Sequence, residues 1–220
     1  IEKLRELVLG YDAVARHLKG RNGRWHAILQ AHAEQRGEPG ASEQFYRKPT
    51  GAELAVQAGA ALARGASGII YFLYSSGIEK VRDGAGELVQ TRHYEGLVYR
   101  NGEPTTTYEA ARRLNSRLGQ IGQRLAPLYF RGGYSARALP QEDLVVALDE
   151  EDLEFGFFGD STGTTHLLLV NMRPLGEREL ALKLNARRLL DHTKDRVLDS
   201  PDGWFSLRLE PADIRLLEVN

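Results

Sequence analysis

The chain has 220 residues, 42% of them hydrophobic and 27% charged, with a formal net charge of −1. These are ordinary globular proportions, enough for one large domain or two small ones. The balanced charge gives no basic face for nucleic acid, no apolar run approaches a bilayer span, and no secretory leader is recognisable. There is no cysteine, which excludes disulfides and thiolate metal sites but leaves the compartment open.

In the first segment Ile1, Leu4, Leu7, Val8, Tyr11, Val14, Ala15 and Leu18 recur at three and four residues, which predicts an amphipathic helix. Gly20 ends it and Asn22-Gly23 makes a turn. Trp25 to Ala31 reads as a short buried strand whose dense apolar character suits a parallel sheet. A polar loop is expected from His32 to about Lys48. Thr50 and Glu53 then form a capping box for an Ala- and Leu-rich helix over 53–64, stopped by Gly65. Residues 67–74 (SGIIYFLY) are β-branched and aromatic and make the strongest strand. A second long loop is expected over 75–104. Thr106 and Glu109 form a second capping box, ahead of a helix marked by Tyr108, Ala111, Leu114, Leu118, Ile121, Leu125 and Leu128. Helix and strand thus alternate, which implies right-handed crossovers and a parallel sheet.

The pattern changes at 130–141, where Arg131-Gly132-Gly133-Tyr134 and Pro140 read as a linker. Seven short strands follow, at about 144–148, 153–158, 165–172, 178–184, 189–198, 203–209 and 213–219. Turn signals such as 160–163, 174–176 and Asp202-Gly203 separate them, which suggests an antiparallel sandwich. Phe155 and Phe157 share one strand face and are expected in the core, with Phe158 on the other face. The expected fold class is therefore α/β followed by all-β, with domains at 1–134 and 135–220. Two parallel strands cannot close a barrel and would leave bare edges. Further sheet is therefore expected ahead of Ile1 or in another chain, in keeping with a sequence whose sole methionine is Met172.

Three stretches, WHAILQAH (25–32), RKPTGAELAVQAGAALARGASGIIYFLY (47–74) and EGLVYRNGEPTTTYEAARRLN (95–115), resemble the closing units of (β/α)8-barrel (TIM-type) glycoside hydrolases. The nearest group is the β-galactosidase-like enzymes of family 42 and their unclassified relatives. Residues 144–220 resemble the small β-sandwich that trails such barrels. The resemblance implies an incomplete barrel plus sandwich. It implies a carbohydrate substrate, and as partner the N-terminal remainder of the barrel in the same or another chain. It also places a sugar site at the C-terminal ends of strands 25–31 and 67–74, where barrel active sites lie.

Retaining glycosidases need two carboxylates, one as nucleophile and one as acid/base. In the family the acid/base follows the fourth strand, which this chain lacks, and the nucleophile ends the seventh, where this chain carries Gln30. An amide cannot form the glycosyl ester, so the chain alone is expected to be inactive. Glu34, four residues on, is the remaining carboxylate candidate, against a plain solvated loop residue. Gln30 and His32 either hydrogen-bond sugar hydroxyls or satisfy loop backbone. Tyr74 is placed to stack on a sugar face, against a core aromatic, and His93, Tyr94 and Glu95 to rim the pocket, against a solvated loop. Arg47 and Lys48 read as surface, and Trp25 as packing at the far end of its strand.

None of the six histidines (His17, His26, His32, His93, His166, His192) forms an i, i+4 pair, so local spacing indicates no metal site. No nucleophile elbow, phosphate loop or dinucleotide fingerprint is present, and no cofactor is expected. Three functions follow in order: the C-terminal part of a glycosidase, a non-catalytic carbohydrate-binding relative, and a structural or assembly module.

Overall fold

The computed structural model describes residues 2–18, 23–37, 43–140, 144–148, 151–161 and 163–219. The expected stop at Gly20, the turn residue Asn22 and Thr162 of the 160–163 turn lie outside them. In chain order the elements are α1 (Glu2–Leu18), β1 (His26–Gln30), β2 (Ala33–Gly37), β3 (Glu43–Tyr46), α2 (Gly51–Leu62), β4 (Gly68–Phe72), β5 (Gly77–Arg82), β6 (Leu88–Glu95), α3 (Thr106–Leu125), β7 (Tyr129–Ser135), β8 (Val145–Leu148), β9 (Leu153–Asp160), β10 (Gly163–Asn171), β11 (Arg178–Leu184), β12 (Arg188–Asp191), β13 (Arg196–Asp199), β14 (Trp204–Leu209) and β15 (Ile214–Val219). The protein is mostly β-sheet, with three α-helices among the described residues. The chain divides into two compact units assembled from separate stretches: one from 1–27, 55–68 and 117–220, the other from 28–54 and 69–116.

The larger unit holds the sandwich. Its six-stranded sheet runs β13-β12-β15-β10-β9-β7, and its three-stranded sheet β14-β11-β8. The core lies between them and contains Leu153, Phe155, Phe157, Leu167, Leu169, Leu180, Leu182, Phe205, Leu207 and Leu217. In β11 and β14 buried and open positions alternate cleanly, the period of a sheet with one wet face. β9 is buried over nearly its whole length, because its second face is also covered: a Cβ on Gly156 would sit 2.8 Å from the Ala63 Cα just beyond α2. Phe155 and Phe157 are core residues as expected, and Phe158 points the other way onto Phe130, with ring centroids 5.5 Å apart. Trp25 packs on Tyr11 at 5.5 Å.

The stretch 130–141 is not a linker throughout. Residues 129–135 form β7, an edge strand paired antiparallel with β9. Its glycines read as flexibility, but at Gly133 the absent side chain is steric: a Cβ there would lie 2.2 Å from the Ala63 carbonyl oxygen. Gly65, at φ +81°, makes the turn that ends the α2 region.

The smaller unit holds most of the β1–β4 pair and a four-stranded antiparallel sheet, β3-β2-β6-β5. The β1–β4 strands run parallel: the Ser67 amide donates to the Trp25 carbonyl at one end, and the Ala31 amide to the Phe72 carbonyl at the other. The four-stranded sheet occupies the two segments expected to be loops. Its strands mix polar and apolar types on both faces, with β3 fully exposed and β5 nearly so, so no alternation announces them. Backbone pairing and cross-strand polar contacts hold them: Arg92 to Glu79 at 3.4 Å, Tyr94 to Glu79 at 2.9 Å, and the Arg36 guanidinium 3.2 Å from the centre of the Phe45 ring.

The first capping box forms as expected. The Thr50 amide donates to Glu53 at 2.8 Å and the Glu53 amide to Thr50 Oγ1 at 3.2 Å. At α3 the cap is Thr105 rather than Thr106, with its hydroxyl 3.4 Å from the Tyr108 amide, while Glu109 turns to Arg112. Thr105 wins because its hydroxyl also shares its proton between the Gly96 and Leu97 carbonyls. Thr50→Ala is expected to cost about 1 kcal/mol in chemical denaturation. The bond from Arg47 holds the Glu53 carboxyl down at about 2. A depressed carboxyl contributes stability above its unfolded value that is lost as pH falls through the folded one. The Glu53→Gln variant should therefore lose its deficit relative to wild type as pH falls from about 4.5 toward 2.

Candidate functional site

At the C-terminal ends of β1 and β4 an open cleft of about 280 Å³ is lined by Ile28, Leu29, Gln30, His32, Tyr46 and Phe72. All six lie in the smaller unit. Gln30 ends β1, and its amide nitrogen donates to the carbonyls of His32 (3.2 Å) and Arg47 (3.0 Å). His32 is buried, with Nδ1 3.0 Å from the Phe72 carbonyl oxygen. A carbonyl only accepts, so Nδ1 carries the proton. Nε2 then faces Glu34, 4.0 Å from its Oε2. Three rings surround the imidazole, Phe72 at 5.1 Å, Tyr46 at 5.8 Å and Tyr94 at 5.9 Å between centroids.

Glu34 is not on a solvated loop. It sits in β2, opposite Tyr46 on one side and Tyr94 on the other, and only 3% exposed. Its Oε1 accepts from Arg36 Nε. A carboxylate sealed under a guanidinium has little access to a sugar carbon. Tyr94 donates to Glu79, and its phenol is pushed above the usual value, first by desolvation.

The other sequence candidates separate. His93 and Glu95 lie in β6, not in a loop. They flank Tyr94, and side chains alternate along a strand, so both point to the face opposite Tyr94 and Glu34. Glu95 pairs there with Lys48, and Arg47 pairs with Glu53, so neither cation is a solitary surface charge. Tyr74 lies just past β4 and is 59% exposed. The structure thus brings together Gln30, His32, Glu34 and Tyr94 and adds Tyr46 and Phe72. Tyr46 escaped the sequence reading because its strand carries no hydrophobic period, and Tyr94, expected on a loop at the rim, lies in β6.

A second polar cluster, in the larger unit, combines His166, His192 and Glu218, whose donor atoms lie within 4.8 Å of one another. Local spacing gave no metal site because these donors come from two strands and the turn after a third, and only sheet register brings them together.

A scan of protein-family models finds no match, and a search of curated proteins finds none either. Among solved structures the chain is similar to a family 39 glycoside hydrolase from the gut symbiont Bacteroides cellulosilyticus WH2. The identity is 16% and the TM-score 0.40, over 77% of this chain and 30% of that one. It is also similar to a β-galactosidase from Bacillus circulans sp. alkalophilus, with 11% identity and a TM-score of 0.26 over 59% of this chain and 14% of that one. The chain thus spans less than a third of the length of either. These neighbours are glycoside hydrolases, and the likeness is a weak one of fold.

Proposed function

We propose that this chain is the C-terminal part of a glycoside-hydrolase-type protein, and that the cleft at the ends of β1 and β4 contacts carbohydrate. The observation that carries the reading is the exposed face of the β1–β4 pair. Ile28, Ile70 and Phe72 are all exposed, although a parallel sheet is ordinarily covered on both faces. The C-terminal end of that face finishes in Gln30, His32 and two open aromatic rings, Phe72 and Tyr74. Apolar residues along the strands and polar groups at their C-terminal ends are what the inner wall and rim of a barrel require. On this reading further barrel strands cover Ile28 and Ile70, and an aromatic face and a few fixed polar groups meet the C–H and O–H faces of a sugar.

A second reading, binding without hydrolysis, is favoured by Gln30 and by the seal of Arg36 over Glu34. An amide cannot be the nucleophile, and Glu34 is held in an ion pair on a strand. Calorimetric titration of the protein with β-linked oligosaccharides is expected to give saturable binding that Phe72→Ala weakens about tenfold, in line with the loss of one aromatic contact. Absence of binding across the panel, or a Phe72→Ala variant that binds as wild type does, refutes both readings. Turnover of aryl glycosides separates them, and hydrolysis gained on Gln30→Glu would mark a catalytic ancestry.

A further inference from the structure

The six-stranded sheet turns one face to the sandwich core. Its other face is apolar along most of its length: Val170 and Ile214 approach Gly59 of α2, where a Cβ would come within 2.7 and 3.1 Å of them. Toward one end this face becomes polar. His166 of β10 stands directly opposite Glu218 of β15. On the other side of β15, Leu190 of β12 is opposite Glu218. His192, two residues beyond Leu190 and so on the same face, is fixed by its amide donating to the Leu216 carbonyl at 2.9 Å. Both imidazoles therefore flank a single carboxylate.

The distances describe more than an ion pair. His192 Nε2 is 2.8 Å from Glu218 Oε2, and His166 Nε2 is 3.8 Å from the same oxygen. The second separation is beyond a hydrogen bond. Ligands on one tetrahedral ion with bonds of about 2.0–2.2 Å stand about 3.3–3.5 Å apart, and the observed separations bracket that value. The two rings lie nearly parallel, 8° apart with centroids at 5.8 Å, and both present Nε2 to the same oxygen. Thr165 Oγ1 lies 2.9 Å from His166 Nδ1, an acceptor for the proton on that nitrogen, which would leave Nε2 its lone pair. Such a second hydrogen bond is the usual device for orienting a metal-binding imidazole. The His192 side chain is 6% exposed and that of Glu218 31%, so the cluster is enclosed on the strand side and open to water on the other.

We propose that His166, His192 and Glu218 form a binding site for one divalent first-row transition ion, zinc first among them. Two imidazoles and a carboxylate are the donor set of borderline metals rather than of calcium or magnesium, which take oxygen. Three protein ligands leave a coordination position for solvent on the open side. The ion would tie β10, β15 and the end of β12 together, adding to the backbone pairing of these strands and to the Arg215–Asp191 ion pair between β15 and β12. The site is independent of the sugar cleft, which lies in the other unit.

Zinc titrated calorimetrically into the metal-stripped, tag-free protein is expected to bind at one ion per chain. His166→Ala, His192→Ala and Glu218→Gln should each weaken that binding at least tenfold, while His26→Ala and His93→Ala leave it unchanged. Zinc at about a hundredfold over its dissociation constant should raise Tm by roughly 5–10 °C. Cobalt in place of zinc should give the visible absorption of a four-coordinate site, lost in the His166→Ala/His192→Ala double variant. Circular dichroism confirms that each variant is folded. The proposal is overturned by no binding in the wild type. It is equally overturned by binding at several ions per chain that the double variant retains, which would mark adventitious surface histidines only.

Discussion

Replacing Arg64 with methionine is expected to destabilise the protein by about 3–5 kcal/mol, a fall in Tm of roughly 6–20 °C. Arg64 lies two residues past α2, 1% exposed, among the largest fully buried side chains. Its Nε donates to Asp12 of α1, and its Nη2 to Glu154 of β9 at 2.6 Å and to Ser135 of β7 at 3.3 Å. One guanidinium thus holds a helix and two strands of the larger unit. Asp12 can rehydrate when the cation goes. Glu154 cannot, because it is buried, and desolvation already raises its pKa, opposed chiefly by Arg64 and Ser135. Removing one partner of such a pair leaves a buried charge without compensation, which costs more than removing both.

That asymmetry makes the account testable. Glu154→Gln in the methionine background should recover a good part of the loss, since the neutral amide keeps a hydrogen bond to Ser135. The sign of the pH effect follows from the direction of the shift. A carboxyl whose folded pKa is raised favours folding below its unfolded value and loses that contribution as pH rises through the folded one. In the methionine variant the Glu154 value rises further, so the deficit should be smaller near pH 4 than at pH 7. Urea denaturation at both pH values reads this out. Equal deficits, or a double variant no better than the single one, would locate the effect in lost packing of the arginine stem instead.

The elements legible in the sequence were those with a burial period. The eight sandwich strands from β8 on were read from turn residues and pattern as seven, with β12 and β13, joined by the short Asp191–Lys194 turn, taken as one strand. The Thr50 and Glu53 cap and the core role of Phe155 and Phe157 followed from side-chain chemistry alone. The sheet built from β2, β3, β5 and β6 was not legible. Its residues mix polar and apolar types on both faces, and its centre is the pairing of β2 with β6, whose partners stand more than 50 residues apart. Of the candidate site, Gln30 and His32 were found because they end an apolar strand. Tyr94 was read as a rim residue but on a loop, and Tyr46 was missed because nothing local says that β2 carries Glu34 between the two. The His166, His192 and Glu218 cluster was missed for the same reason in sharper form: successive members stand 26 residues apart, and only antiparallel register makes them neighbours.

Asp191→Ala is expected to cost a comparable 3–5 kcal/mol, and here the effect reaches the proposed metal site. Asp191 is fully buried at the end of β12. Its Oδ1 accepts from the Thr193 amide at 3.1 Å, the Thr193 hydroxyl at 2.6 Å and the Lys194 amide at 3.2 Å, which closes the turn after His192. Its Oδ2 accepts from Arg215 Nη1 at 2.9 Å. Arg215, also buried, donates through Nε to Asp213 and through Nη2 to the Arg208 carbonyl. Burial alone would raise the Asp213 carboxyl, but Arg117 and Arg215 outweigh it and hold the group below its ordinary value. Its contribution is therefore present above the unfolded value and lost as pH falls. Acid unfolding should thus act on this network directly. Without Asp191 the Arg215 charge keeps a single carboxylate, and the turn that positions His192 loses three hydrogen bonds. The Asp191→Ala variant should accordingly lose zinc affinity together with stability, although Asp191 touches no ion. Asp191→Asn, which keeps an acceptor for the turn but not the charge, should retain more of the affinity than of the stability. A variant that unfolds as wild type does would show that Arg215 is satisfied by Asp213 alone. Equal zinc affinity in the alanine variant would show that strand register holds His192 without the turn.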